Sequence, residues 1–269
     1  MALSAGPPRA TRAQVEALRE LRDAAGRRAS GRLLVEGATL LAEALDAGLP
    51  PALLAGERAT LEAAALLVSR AAAAGAAVVE LDARAAERLS DREHAPGLLA
   101  AVPQPPRWDG RLPPRGAALL VALCGVQDPG NVGTLLRSAR AFGAAACLLT
   151  EGTADAFGPK VVRASAGAAL RVPTTSVDEG ELAARASALG LQLAAAQPPL
   201  AGLGVAPWRP PPRCLLLLGH ETRGVPAVAG AAPAVVPHEP GVESLNVAMA
   251  GSILLADWYR AHGAPAGRA

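Results

Sequence analysis

The segment from Val121 to Gly143, VALCGVQDPGNVGTLLRSARAFG, restricts the possible folds of this chain more than any other. Its apolar beginning stops at a Pro-Gly-Asn turn, and residues with helical spacing follow. This order predicts a strand, a tight loop and a helix. In open α/β sheets, ligands bind where such loops leave the carboxyl ends of the strands. The loop carries Asn131 and the helix carries Arg137, so the segment indicates a ligand site.

The same alternation continues through the second half of the chain. The nearly continuous apolar run Leu215–Leu218 is typical of a strand buried on both faces, and hence of a parallel α/β sheet. The predicted strands cover residues 117–123, 145–150, 191–195, 214–218 and 234–236. The predicted helices cover residues 132–142, 160–166, 179–189 and 246–261.

A proline-rich stretch divides the chain. Five prolines between residues 103 and 116 forbid a regular helix and predict a semi-extended linker. Residues 31–102 are predicted to form a small α/β domain, and residues 117–264 a larger one. In the small domain we expect strands at 32–35, 76–81 and 97–102, with helices at 38–47 and 59–74.

The N-terminal stretch carries a local excess of positive charge. Seven arginines fall in a short span, at positions 9, 12, 19, 22, 27, 28 and 32. Two interpretations stay open for residues 1–30: a solvated, partly disordered arm, or an arm that contacts RNA. The formal net charge of the whole chain is only +2, which neither requires nor excludes a nucleic-acid partner.

The cysteines do not indicate a disulfide framework or a zinc site. Their number is odd, no CxxC spacing occurs, and each lies in or beside a predicted strand, so we expect small core side chains. These cysteines are Cys124, Cys147 and Cys214. The histidines at 94, 220, 238 and 262 do not have metal-ligand spacing, so we expect no metal.

Targeting and membrane signals are also not found. No apolar stretch at the start is long enough for a secretory signal, and the longest apolar runs are far shorter than the roughly 20 residues of a membrane span. We therefore expect a soluble cytoplasmic protein with no membrane partner.

Three polar clusters follow predicted strands. The first is Asn131 with Arg137, the second is GHETRG at 219–224, and the third is ESLNV at 243–247. Each has a simple structural alternative: Ser244 as a helix N-cap, Glu221 as a solvated loop acid, Arg137 as an exposed helix residue. Their common position at one end of a parallel sheet favours a shared site.

Several common sites have no sequence support. The chain has no GxxxxGK[ST] phosphate loop, no GxGxxG fingerprint and no GxSxG elbow. These patterns would indicate nucleoside triphosphates, dinucleotides and acyl transfer, respectively.

The three clusters resemble the three motifs of the SpoU family in the SPOUT superfamily of methyltransferases. They read NVGTLLRSARAFG from Asn131, LLLLGHETRGVP from Leu215 and VPHEPGVESLNVAMA from Val236. The intervening DAFGPKVVRASAGAALRVP, from Asp155, is also similar to the family. Residues 31–102, with LLVEG at 33–37, resemble the small substrate-binding domain of many ribosomal RNA members.

The resemblance implies a fold and an activity. It implies transfer of a methyl group from S-adenosylmethionine to a ribose 2′-hydroxyl of RNA, most directly ribosomal RNA. It also implies a trefoil knot in the C-terminal domain and a homodimer. Two alternatives stay open: a transfer-RNA 2′-O-methyltransferase, and a non-catalytic RNA-binding protein that keeps the fold.

The resemblance also implies roles for particular residues. Candidate catalytic residues are Arg137, Asn131, Glu221, Ser244 and Asn246. Candidate cofactor contacts, largely through the backbone, are Gly219, Val236 and Leu245. A guanidinium is a poor general base because it holds its proton very tightly, so Arg137 is expected to orient the ribose and stabilise the developing alkoxide. Glu221 is expected to orient Arg137 or nearby backbone.

One residue departs from the family pattern. The family commonly has Ile-Pro-Met where this chain has Val236-Pro237-His238. A change from Ile to Val preserves a backbone contact, whereas His238 puts a polar ring where the family has an apolar side chain.

Overall fold

The computed structural model describes residues 6–89, 97–199, 208–239 and 241–263. The chain divides into two compact units. The N-terminal unit contains Met1–Pro105 together with Phe157–Leu170, and the C-terminal unit contains Pro106–Ala156 and Arg171–Ala269. The boundary after Pro105 falls inside the proline-rich stretch. Of the sequence predictions, residues 1–5 of the arm, residues 90–96 of the small domain (with His94), and residues 200–207, 240 and 264 of the larger domain lie outside the described residues.

The N-terminal unit is built on a four-stranded mixed sheet in the order β1-β4-β2-β3. Strands β1 and β2 each pair antiparallel with β4, while β2 and β3 are parallel. The strands are β1 Arg32–Glu36, β2 Leu53–Gly56, β3 Ala77–Glu80 and β4 Leu98–Pro103. The helices are α1 Arg12–Glu20, α2 Ala24–Ser30, α3 Ala38–Asp46, α4 Arg58–Ala63, α5 Ala65–Ala73, α6 Ala83–Leu89 and α8 Pro159–Ala164.

Residues 12–30 are part of this folded unit and do not form an arm. Helix α1 begins with a capping box between Thr11 and Gln14, and Leu18 and Leu21 lie in the core against the sheet. Arg27 is buried, and its guanidinium donates hydrogen bonds to the carbonyl oxygens of Leu21 and Arg22 at 2.8 and 2.7 Å. Part of the local positive charge is therefore used to stabilise the fold.

A segment from much later in the chain completes the N-terminal unit. Helix α8 packs against the edge strand β1. The Arg163 guanidinium lies 3.2 Å from the carboxylate of Glu36, whose side chain is only 1% exposed. Breaking such a buried pair costs more than a surface pair because it leaves a buried charge without its partner.

The C-terminal unit contains a six-stranded sheet in the order β10-β8-β9-β5-β6-β7, with every pair parallel. This confirms the predicted parallel α/β class. The strands are β5 Ala118–Cys124, β6 Ala146–Leu149, β7 Thr174–Ser176, β8 Gln192–Gln197, β9 Arg213–Gly219 and β10 Ala232–Val235. The helices are α7 Pro129–Ala141, α9 Leu182–Ala188 and α10 Val247–His262.

The order of the strands reverses at β5. From β5 the chain moves outward to β6 and β7, and then crosses to the other side of β5 for β8, β9 and β10. Ligands of open α/β sheets bind outside the carboxyl ends of the strands at such a reversal. The second and third polar clusters follow β9 and β10, so both lie at the edge of the sheet where the carboxyl ends of the strands meet.

The core of the C-terminal unit consists of small and branched apolar side chains. Strands β5 and β9 pair over seven residues, and their leucines are fully buried. All three cysteines are free and buried, as expected for core side chains. Burial raises the pKa of each thiol to about 12, so the thiols stay protonated and unreactive near neutral pH.

Helix α10 packs closely on α7 and β9. A Cβ atom at Gly251 would lie only 2.5 Å from Leu135 and 2.8 Å from Leu218, so glycine permits this approach. Trp258 is fully buried, and its indole N–H donates to the carbonyl of Pro211 at 3.0 Å. The close packing fixes the N-terminus of α10 beside the first turn of α7.

The described residues contain no candidate membrane span and no candidate metal site. Across these parts of the chain, no helix combines the length and apolar character needed to cross a membrane. Within the same residues, no group of His, Cys, Asp and Glu side chains is arranged to hold a metal ion. The trefoil knot stays a prediction.

Candidate functional site

A cleft of about 470 Å³ opens where β8, β9 and β10 end. Its walls include Gly219, Glu221, Val236, Ser244, Leu245 and Asn246, which are six of the eight candidate site residues. The other two, Asn131 and Arg137, do not line it. The second and third polar clusters therefore meet in one cavity, as their common position after parallel strands predicts.

The loop after β9 forms one wall of this cleft. His220 and Gly224 exchange two backbone hydrogen bonds, of 3.0 and 2.9 Å, which closes a tight turn over residues 220–224. The turn folds back onto Gly219, where a Cβ atom would lie 2.2 Å from the carbonyl group of Gly224. Only glycine fits at position 219, so the local backbone shape depends on this residue.

The loop after β10 and the start of α10 form the opposite wall. Asn246 is the N-cap of α10, because its side-chain oxygen accepts hydrogen bonds from the N–H groups of Ala248 and Met249 at 2.9 and 3.2 Å. Ser244 is therefore not the N-cap, and its side chain lines the cleft. Val236 and Leu245 supply apolar surface to the same wall.

A hydrogen-bonded chain joins the three polar clusters. The side-chain amide of Asn131 donates to a carboxylate oxygen of Glu221 at 2.8 Å, and the amide of Asn246 donates to the side-chain oxygen of Asn131 at 3.1 Å. Asp128 caps helix α7 by accepting from the N–H of Asn131 at 2.8 Å. Asn131 thus bridges the two walls of the cleft, and both Glu221 and Asn246 are held in fixed orientations.

Arg137 lies apart from this chain. Its side chain is exposed on α7, and within the described ranges it has no hydrogen bond or ion pair. Within the described residues, Glu221 is bonded to Asn131 and not to Arg137. The expected role of Glu221 in orienting Arg137 or nearby backbone stays a prediction. The guanidinium is free to contact a ligand.

The structure adds residues to which the sequence assigned no role. His220, Thr222 and Glu243 also line the cleft. The sequence could have indicated these three residues, because they lie within the second and third motif segments. His238 lines the cleft as well, which puts the departure from the family pattern directly in its wall.

The cleft fits S-adenosylmethionine. Its volume is within the range of about 300–1,000 Å³ that is usual for small-molecule sites. Val236, Leu245 and Leu254 offer apolar surface for the adenosine, and the carboxylates of Glu221 and Glu243 suit the cationic sulfonium and amino groups. The size and the lining of the cleft are therefore compatible with this ligand.

Two family models match the chain. The model of the SpoU rRNA Methylase family matches residues 118–256, which cover β5 to the middle of α10. The model of the MRM3-like substrate binding domain matches residues 12–100. The second match begins at α1, in agreement with the placement of α1 and α2 in the N-terminal unit.

Individual relatives agree with these models. A Synechocystis protein described as an uncharacterized tRNA/rRNA methyltransferase is 31% identical over 246 residues, which cover 90% of this chain and 88% of that protein. The 23S rRNA (guanosine(2553)-2'-O)-methyltransferase of Bacillus subtilis is 35% identical over 136 residues, covering 48% of this chain and 53% of that one. The crystal structure of an AdoMet-bound rRNA methyltransferase from Sinorhizobium meliloti superposes with a TM-score of 0.79 at 27% identity, covering 95% of this chain and 97% of that one.

Proposed function

Because the chain belongs to the SpoU rRNA methylase family, we propose that it methylates a ribose 2′-hydroxyl of ribosomal RNA with S-adenosylmethionine as the methyl donor. The observation that carries the proposal is the hydrogen-bonded chain of Glu221, Asn131 and Asn246, which joins the three motif segments at the mouth of a cleft of suitable size. The S. meliloti relative binds AdoMet, and the B. subtilis relative is named for 2′-O-methylation.

In this proposal the two loops of the cleft would hold the cofactor. Backbone groups at Gly219, Val236 and Leu245 would contact the adenosine, and the turn over residues 220–224 would close beside it. When bound, S-adenosylmethionine supplies an activated methyl group, which the ribose oxygen takes as the carbon–sulfur bond breaks.

Asn131, Arg137 and Ser244 would act on the ribose. Methyl transfer is accelerated strongly when the attacking oxygen is held in line with the methyl group, and Asn131 and Ser244 can hold a ribose by directed hydrogen bonds. The hydroxyl becomes more nucleophilic as its proton leaves to water or to a substrate phosphate. The free guanidinium of Arg137 would stabilise the negative charge that then develops on the oxygen.

The N-terminal unit would supply RNA affinity. We propose that residues 31–102 form the substrate-binding domain, that 103–116 connect it to the methyltransferase domain at 117–264, and that the helices before residue 31 belong with the first domain. Aromatic residues make up only 2% of the chain, so binding would depend on arginine and backbone groups and would weaken with salt. A cytoplasmic location stays a prediction.

The product of the reaction tests this function. The purified protein should transfer label from methyl-labelled S-adenosylmethionine to ribosomal RNA isolated from cells that lack the gene. After alkaline hydrolysis the label should remain in a dinucleotide, since a 2′-O-methyl group blocks attack on the neighbouring phosphate. RNA from cells that carry the gene should accept little label and serves as the control.

Other outcomes separate the alternatives. Label in transfer RNA but not in ribosomal RNA would show that the substrate is transfer RNA, the first alternative. Label in an alkali-labile, base-modified nucleotide would overturn ribose methylation. RNA binding without any transfer would support the non-catalytic alternative.

We also propose a homodimer that packs on helix α10. Met249 and Ile253, one turn apart on this helix, are 59% and 37% exposed, and neighbouring exposed apolar side chains are typical of a protein interface. A second copy of the chain would cover it.

Light scattering tests the dimer. The protein should elute with twice the mass of one chain, and Ile253→Asp should shift it to the monomer because a charge would be buried in an apolar contact. Leu66→Asp is the matched control: Leu66 is 80% exposed on α5, so this variant should keep the dimer mass. A monomeric wild-type protein at micromolar concentration would contradict the proposal.

A further inference from the structure

A side pocket of about 460 Å³ lies at the carboxyl ends of β5, β6 and β7. Gly125 follows β5, Glu151 and Gly152 follow β6, and Glu179 follows β7. Arg223, from the loop after β9, also lines this pocket. None of these five residues lines the cofactor cleft, so the proposed function leaves the side pocket without a role.

The turn over residues 220–224 stands between the side pocket and the cofactor cleft. Glu221 and Thr222 line the cleft, and Arg223 lines the pocket. His220 and Gly224 line both cavities. In a ribonucleotide the base and the 2′-hydroxyl are attached to adjacent carbons of the ribose. A site for the base of the target nucleotide must therefore border the methyl-transfer site, and the side pocket meets this requirement.

Two glycines form part of the pocket surface. A Cβ atom added at Gly152 would lie 3.7 Å from the Cα of Gly125, so the two backbones meet in the wall. A Cβ atom added at Gly125 would lie 3.6 Å from Nη2 of Arg223, so the guanidinium lies beside this surface. Because neither glycine has a side chain, a flat ligand can approach the backbone closely there.

The pocket contains two carboxylates and one guanidinium. The carboxylate of Glu179 lies near Cys124 of the same wall, where burial and this negative charge together raise the pKa of the thiol to about 12. Across the described residues, the side chains of Glu151, Glu179 and Arg223 have no hydrogen bond or ion pair. All three are therefore available to a ligand.

These charges favour a neutral ligand. Two carboxylates repel a phosphate, and the guanidinium repels a cation. A nucleobase is neutral and flat, and its edges carry hydrogen-bond donors and acceptors that proteins read in single-stranded RNA. Guanine offers two adjacent donors, the N1–H and the N2 amino group, and its O6 and N7 atoms accept from arginine. Adenine, cytosine and uracil each offer one donor group, so guanine matches the two carboxylates best.

We propose that the side pocket binds the base of the target nucleotide and selects guanine. Glu151 and Glu179 accept from the N1–H and the N2 amino group, and Arg223 donates to O6 or N7. The inference rests on the proposed function, because it names the nucleotide on which that reaction acts. The three side chains determine specificity and do not touch the reacting atoms.

The identity of the methylated nucleoside is the first test. Ribosomal RNA from cells that lack the gene is methylated with labelled S-adenosylmethionine, digested completely to nucleosides and separated by chromatography. The label should elute as 2′-O-methylguanosine. Label in the 2′-O-methyl form of another nucleoside would overturn the inference and leave the proposed function intact. No transfer at all would reject the proposed function, and the inference with it.

The second test compares two transcripts that differ at the mapped position. One carries guanosine, and the other carries inosine, which lacks the N2 amino group and is introduced by ligation of a synthetic fragment. Inosine should lower kcat/KM of the wild type about tenfold, as expected when a charged acceptor loses its hydrogen bond. In the double variant Glu151→Ala/Glu179→Ala the ratio should be close to one. A tenfold ratio in this variant would overturn the inference.

Glu181→Ala is the matched control. Glu181 lies in the same short 3₁₀ helix as Glu179, but its carboxylate bonds to Arg185 at 2.9 Å and does not line the pocket. This variant should keep the tenfold ratio of the wild type.

Cofactor affinity checks the double variant. Glu151 and Glu179 are exposed and lie outside the cleft lining, so the variant should fold and keep the wild-type Kd for S-adenosylmethionine. A Kd at least tenfold higher would place the amino-acid end of the cofactor in the side pocket and overturn the inference.

Discussion

Arg137→Ala should lower methyl transfer to RNA by about 10²–10³-fold, the usual effect of removing a group that stabilises a developing oxyanion. The affinity for S-adenosylmethionine should change little, because Arg137 does not line the cofactor cleft. Stability should also change little, since the side chain is exposed and substitutions at such positions cost within about 0.5 kcal/mol. Single-turnover methylation and calorimetry measure the two effects separately.

Two variants sharpen this result. Arg137→Lys keeps the charge but loses the planar fork of the guanidinium, so its rate should fall between those of the wild type and Arg137→Ala. Arg185→Ala removes a partly exposed helix arginine that pairs with Glu181, and it should leave the rate unchanged. Full activity of Arg137→Ala would show that Arg137 has no part in the reaction and that another group stabilises the oxyanion.

Gly219→Ala should weaken cofactor binding by about a hundredfold, equivalent to roughly 2.7 kcal/mol. The added Cβ atom would lie 2.2 Å from the Gly224 carbonyl carbon and oxygen and 2.3 Å from the Val225 nitrogen. These are backbone atoms, so they cannot turn aside as a flexible side chain does, and the turn over residues 220–224 must open. Strain of this kind costs about 1–3 kcal/mol. Calorimetric titration with S-adenosylmethionine measures the loss.

Gly180→Ala is the control for a glycine substitution in the same unit. Its Cβ atom would meet only the side chain of Asp178, at 3.3 Å, and the position is exposed and outside the cleft. Cofactor affinity should stay at the wild-type value. If Gly219→Ala binds the cofactor as tightly as Gly180→Ala does, the backbone at Gly219 is not part of the cofactor site.

The sequence pattern predicted the C-terminal sheet better than the N-terminal unit. Apolar runs such as that of β9 are long and uninterrupted, so their type is clear from local sequence alone. Strand β2 was not predicted, because its sequence LLAG is short and comes soon after two prolines. Its position in the sheet also depends on pairing with residues that are distant in sequence. Helices α1 and α2 were not predicted, because arginines are so frequent in this stretch that the few leucines of the core do not form a clear apolar pattern.

The site could be predicted as a set of segments but not as a set of contacts. Parallel strands bring their carboxyl ends to one edge, so the meeting of the second and third motifs follows from sequence. The bond from Asn131 to Glu221 does not, because it depends on how α7 packs beside α10. The N-cap of α10 could not be predicted either. Ser244 and Asn246 are equally good capping residues by type, so the choice depends on where the helix begins, and it begins at Val247.

The discontinuous N-terminal unit has a consequence for synthesis on the ribosome. Strand β1 and the buried Glu36 emerge early, whereas α8 and Arg163 emerge after most of the chain. At translation rates of about 5–20 residues per second, the delay is on the order of ten seconds. During this time β1 is a sheet edge without its covering helix, a feature that favours pairing with other chains. Nascent chains shorter than about 170 residues should therefore depend most on chaperones.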